Sequence, residues 1–99
     1  MTEEYFRDNF VLVLYDSLAD GYLINIKSTL NGEKAFPVDQ RMLEQFSRGT
    51  LEDLSDDFAT LGWGSEISRL DLERIHFATV HTMDKYNRKF EEFEKEQDL

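Results

Sequence analysis

The stretch Phe10-Val11-Leu12-Val13-Leu14-Tyr15, followed by Asp16-Ser17-Leu18-Ala19-Asp20-Gly21, decides the fold of this chain. Its first six residues are β-branched, aromatic or leucine, which suits a strand, and the next six read as a turn. The same region also fits a helix. Phe6, Phe10, Val13, Leu14 and Leu18 form a stripe at helical spacing, and Gly21 stands where such a helix would stop. A short apolar run does not separate the two by periodicity; we take the strand.

Working outward, Tyr22 to Thr29 alternates as a strand should, with Tyr22, Ile24 and Ile26 on one face and Leu23, Asn25 and Lys27 on the other. Asn31-Gly32 predicts a hairpin with a type I′ turn, because both residues tolerate positive φ. Glu33 to Val38 returns as a strand. Pro37 lacks an amide donor, so that strand belongs at a sheet edge. Upstream, Thr2-Glu3-Glu4 carries the signals of a short first helix, a hydroxyl cap followed by acids in the first turn.

From Asp39 onward the chain reads as helix. Asp39 caps a segment with Met42, Leu43 and Phe46 on one side, closed by Gly49. Thr50-Leu51-Glu52-Asp53 opens another, with Leu51, Leu54, Phe58 and Leu61 at helical spacing and Gly62 as its stop. Gly62-Trp63-Gly64 is a loop, and Ser65 or Ser68 caps a last helix running from about Ser68 to Gln97. Along it, Leu72, His76, Thr79, Met83, Tyr86, Phe90 and Phe93 alternate by four and three, the spacing of a packing seam, widened by Ile75 and Val80. Such a helix is about 45 Å long, against roughly 33 Å for a compact domain of this size. It must overhang the body, break, or dock on another chain.

The expected fold is therefore α+β: a short antiparallel sheet of two or three strands packed against three helices, the last one long. All 99 residues form a single domain, with the sheet or hairpin region in 1–38 and the helical region in 39–99. The size permits one modest core, burying about 65% of the unfolded surface. With 40% apolar residues and eight phenylalanines, the chain can fold rather than stay disordered.

Charge and composition narrow the function. There are no cysteines, so disulfide scaffolds, thiolate metal sites and cysteine nucleophiles are excluded. The N-terminus is acidic where a signal peptide would be basic, and no apolar run is long enough to span a membrane; a soluble, cytoplasmic protein is expected. Twenty-one acids against eleven bases give a net charge of −10. That disfavours direct contact with nucleic acid or anionic lipid and favours basic protein partners. Acidity also serves solubility on its own.

Catalytic constellations are missing. Glu73-x-x-His76 has the spacing of helical di-iron ligands, but such sites need a second copy and further carboxylates, so a core-flanking histidine is the simpler reading. His81 and Asp84, three apart on the same helix, predict an ordinary surface contact. Neither a nucleophile elbow nor a phosphate loop is present. The expectation is a non-enzyme without cofactor or metal.

The acids cluster instead. Glu52, Asp53, Asp56 and Asp57 place four negatives in six residues. Glu91, Glu92, Glu94, Glu96 and Asp98 place five near the C-terminus, offset only by Lys95. In the first cluster the helix dipole favours the leading acids; in the second it opposes them, so a stability cost is tolerated there. Trp63, an indole between two glycines, reads either as an interface anchor or as a lid on the helical core. Phe90 and Phe93 border the second cluster. The candidate partner-binding residues are thus Glu52, Asp53, Asp56, Asp57, Trp63, Phe90, Glu91, Glu92, Phe93 and Glu94.

In size, charge and a possible αβββα element order, the chain resembles the small acidic counter-defence proteins of phages and mobile elements, anti-CRISPR proteins among them. That resemblance implies an inhibitor or modulator whose carboxylates imitate nucleic-acid phosphates in the basic cleft of a nucleic-acid-binding enzyme, acting in a host cytoplasm. The alternatives are a homodimeric adaptor or structural module assembled through the long C-terminal helix, and an antitoxin-like neutraliser of a basic toxin.

Overall fold

The computed structural model describes residues 2–97, with side chains described as far as Lys89 and at Glu91. Four strands, β1 (Thr2–Arg7), β2 (Val11–Asp16), β3 (Gly21–Ser28) and β4 (Gly32–Val38), are followed by α1 (Gln40–Arg48), α2 (Leu51–Thr60) and α3 (Arg69–Gln97). The α+β class holds, and the strand reading of Phe10–Tyr15 with it. The sheet has four strands in the order β1-β2-β3-β4, every pair antiparallel, which corrects the expected two or three.

The additional strand is β1, where a short helix was expected. The segment Thr2–Arg7 before the turn at Asp8 is six residues long, too short for a helix to recover its nucleation cost. The same residues gain a full ladder by pairing with β2. Side-chain acceptors then fix each hairpin turn. Asp8 Oδ1 accepts from the amides of Phe10 (2.8 Å) and Val11 (2.7 Å). Asp16 Oδ1 accepts from Leu18 N at 3.0 Å, and Ser28 Oγ from Leu30 N at 3.1 Å. These local bonds are the mechanism by which Asp and Ser favour turns.

The β3–β4 turn is not type I′. Gly32 has φ 73°, but Asn31 is not in the left-handed region, and type I′ needs both. Asn31 serves differently: its Nδ2 donates to Glu66 O at 2.7 Å, tying the hairpin tip to the loop before α3. Pro37 lies on an edge strand, as its missing donor requires.

All three helices cover one face of the sheet. Val11, Val13, Tyr22, Ile24, Ile26, Phe36 and Val38 face them and join Leu43, Phe46, Leu54, Phe58, Ile75 and Ala78 in one buried core. The helix ends follow local chemistry. Asp39 caps α1 through Met42 N, and Thr50 and Asp53 form a reciprocal capping box on α2. Gly62, at φ 81°, ends α2 in a Schellman arrangement, with Trp63 N donating to Phe58 O (2.8 Å) and Gly62 N to Ala59 O (3.1 Å).

The seam expected on α3 is buried at Leu72, Thr79 and Met83 and half-buried at His76 and Tyr86. The two threonines of α3 satisfy their hydroxyls on preceding carbonyls, Thr79 on His76 and Thr82 on Ala78. Phe90 and Phe93, the last residues of that seam, have side chains outside the described residues. Of the three expected outcomes for so long a helix, overhang is the observed one. At 29 residues α3 is about 43 Å long, and the molecule measures 50 × 27 × 23 Å.

Candidate functional site

The sequence singled out carboxylates on α2, and the structure gives most of them local partners. Asp53 accepts from Thr50 N at 2.9 Å, closing the capping box. Asp57 accepts from Gln45 Nε2 at 3.0 Å, and Glu52 pairs with Arg69 at 2.6 Å on the surface. Asp56 is exposed and has neither an ion pair nor a side-chain hydrogen bond among the described residues. Across the cleft from them stand Arg41 and Arg48 of α1, so the groove between the two helices carries both signs.

Trp63 lies against Phe36 (ring centroids 4.9 Å) and Phe58 (5.3 Å) and is only part exposed. Its contact with Phe58 is the apolar partner contact of the Schellman motif. The lid reading describes its position. Glu91 is exposed on α3; the side chains of Phe90, Glu92, Phe93 and Glu94 lie outside the described residues, and so does Asp98.

Glu73 and His76 do not converge on a ligand. His76 Nε2 lies 2.9 Å from Gly49 O at the end of α1, while Glu73 faces solvent. Among the described residues, no group of three His, Cys, Asp or Glu is placed to hold a metal, and no helix is long and apolar enough to cross a membrane.

An aromatic surface that the sequence reading passed over stands where β1 meets α3. Its origin is a β-bulge. Glu4 pairs with Leu14 and Phe6 with Val13, so Tyr5 is an extra residue in β1. A bulge lets neighbouring side chains turn to the same side, and here both Tyr5 and Phe6 reach α3. Tyr5 meets Tyr15 and Tyr22 edge-on at 6.4 and 5.5 Å, under the ammonium groups of Lys85 and Lys89. Lys85 also donates to Glu4 O at 2.6 Å, and Lys89 pairs with Glu3.

Phe6 meets Phe77 at 5.8 Å and stacks on His81 at 5.7 Å, and Phe77 lies 4.2 Å from His81. A second stack stands nearby: the Arg74 guanidinium lies 3.5 Å from the ring centre of Phe10. Phe77 is 53% exposed, Leu70 48% and Phe10 40%. The β3–β4 hairpin brings exposed Leu30 to the same end of the molecule, since Thr29 bonds to Ser68 and Asp71 at the start of α3. Scattered exposed apolar side chains are ordinary, but a contiguous group is not.

One signal for this patch was available in the sequence. Leu70, Phe77 and His81 recur at seven and four on the side of α3 opposite its seam, where an amphipathic helix normally carries only polar residues. Phe6 and Phe10 could not be placed without knowing that Phe6 follows a bulge.

Two carboxylates border the aromatic group. Glu73 and Asp84 are exposed and sit four residues before and seven after Phe77, on the same ridge of α3. No protein-family model, curated protein or solved structure matches this chain.

Proposed function

We propose that this protein is a non-catalytic inhibitor or modulator that binds a basic protein, with the Phe6–Phe77–His81 and Phe10–Arg74 stacks as its apolar anchor. The observation that carries the reading is that Phe77, half exposed, crowns an aromatic group that its own chain leaves open to solvent. Interface energy concentrates in such aromatic and arginine side chains, while charged residues around them set orientation and association rate. Here Glu73 and Asp84 stand on the Phe77 ridge, with Arg74, Lys85 and Lys89 on the β1 side, on a chain of net charge −10. The complementary surface presents an apolar pocket flanked by Lys and Arg.

Imitation of nucleic-acid phosphates is a narrower form of this proposal and draws on Asp56 and on the C-terminal acids. Asp53, Asp57 and Glu52 give it less support, because their carboxylates already have partners. Engagement through aromatic contact with a charged surround needs none of the three to be released.

The reading is tested by affinity capture from the native host, run in parallel with wild type, Phe77→Ser and Asp56→Lys. The expected result is a specific partner retained by wild type and Asp56→Lys and lost with Phe77→Ser. A partner retained by Phe77→Ser overturns the assignment of the surface.

A further inference from the structure

The helices leave the second face of the sheet uncovered, and its side chains form an ordered pattern. Alternation places Glu4, Leu14, Leu23 and Pro37 in one row across the four strands. The next row on that face holds Arg7, Leu12, Asn25 and Ala35. Apart from Asn25 the centre is apolar, with Leu12, Leu14 and Leu23 part exposed and Ala35 and Pro37 open to solvent. At one end of the face stands Asp16; at the other, Lys27 lies beside Glu33.

We propose that this face pairs with the same face of a second copy, about a two-fold axis lying between the two rows and perpendicular to the strands. A two-fold interface requires a self-complementary surface, and this one is. That axis lays the row Glu4, Leu14, Leu23, Pro37 over the row Arg7, Leu12, Asn25, Ala35 of the other copy. Glu4 then meets Arg7 and Arg7 meets Glu4, while Leu14 lies over Leu12 and Pro37 over Ala35. Asp16 falls beside Lys27 of the other copy.

An axis along the strands would instead set Asp16 against Asp16 and Lys27 against Lys27. Charge therefore selects the first arrangement. Glu33 and Asp39 are the like charges that it brings together, at the exposed β4 edge, and Asp39 is turned toward Met42 N as the cap of α1. Stacked sheets with interdigitated side chains about 10 Å apart are a standard packing.

Size sets the expected strength. Four strands about 4.8 Å apart and seven residues of about 3.3 Å give a footprint of roughly 400 Å². That is below the roughly 800 Å² per partner of a stable complex, so the pair is a weak dimer that forms with rising concentration. The inference is independent of the proposed function, because the aromatic group lies on the helix-covered side.

Sedimentation velocity between about 10 μM and 1 mM reads the outcome directly. Wild type is expected to pass from monomer to dimer with a midpoint on the order of 100 μM. The double variant Leu14→Lys/Leu23→Lys is expected to stay monomeric, with circular dichroism confirming its fold. Glu4→Arg should shift the midpoint about tenfold upward, and adding Arg7→Glu, which restores opposite charges both within the chain and across the interface, should bring it back. A wild type that remains monomeric at 1 mM overturns the proposal. A dimer unaffected by the two lysines also overturns it, by placing the contact elsewhere.

Discussion

The carboxylate of Asp71 and the backbone amide of Thr29, 42 residues apart in sequence, meet at 3.1 Å where the β3–β4 hairpin touches the start of α3. Asp71 is fully buried and also accepts from Ser28 Oγ (2.9 Å), Thr29 Oγ1 (3.2 Å) and Ser68 N (3.0 Å). It completes a capping box with Ser68 and at the same time clamps the hairpin tip.

Removing that acceptor leaves several part-buried donors unpaired. Asp71→Ala should lower the unfolding free energy by about 3 kcal/mol, in the range for breaking a charged hydrogen-bond network. The pH dependence follows from the same contacts. Burial pushes the Asp71 carboxyl up, but the Ser68 and Thr29 amides and the Ser28 and Ser68 hydroxyls outweigh it and hold it below the usual carboxylate range. The folded state therefore binds this proton less readily than the unfolded one. Its contribution is complete above the unfolded value of about 3.9 and is lost as pH falls through the lower folded value. Urea denaturation at pH 7 and pH 3 should show a smaller drop in stability for Asp71→Asn than for wild type.

At the other end of the scale, tyrosines govern alkaline stability. Tyr22 stands among Tyr5, Tyr15 and Tyr86 and donates to Gln40 Oε1 at 2.7 Å. Burial, then the neighbouring phenols, pushes its hydroxyl far above the ordinary value of 10. Burial also raises the hydroxyl of Tyr5. The folded state holds these protons more tightly than the unfolded one, so stability is complete below pH ~10 and falls as pH rises above it. Ultraviolet titration at 295 nm should show at least one phenol that ionises only with unfolding. In Tyr22→Phe the alkaline loss should be shallower.

The acids of α2 should separate into structural and free. Thr50→Ala and Asp53→Ala each break the capping box and should cost about 1 kcal/mol. Asp56→Lys should stay within about 0.5 kcal/mol of wild type, as surface changes without partners do. Chemical denaturation at constant ionic strength distinguishes the two groups.

What the sequence disclosed was what local chemistry specifies. Asp39, Thr50, Ser68 and Gly62 mark helix ends through bonds to residues within five positions, so their roles could be read before the fold was known. The seam of α3 was legible for the same reason, its spacing being a property of the helix itself. Thr2–Arg7 was not. Its cap-like start is a local signal that loses to pairing with β2, a contact made across the chain. The Asp71 clamp, the Tyr5 bulge and the meeting of Phe6 with Phe77 all depend on residues far apart in sequence. The acidic segment on α2 was visible at once, but the partners of Asp57 and Glu52, Gln45 and Arg69, lie on other elements and became visible only in the folded chain.

The central claim is that the Phe77 surface, rather than the α2 acids, anchors the partner. Phe77→Ser should remain folded, losing about 1 kcal/mol through its ring contacts with Phe6 and His81. Isothermal titration of the captured partner at physiological salt, with wild type, Phe77→Ser and Asp56→Lys side by side, is the direct measurement. The account predicts that Phe77→Ser weakens binding at least tenfold while Asp56→Lys changes it less than threefold. Wild-type affinity in Phe77→Ser, together with a large loss in Asp56→Lys, would contradict it.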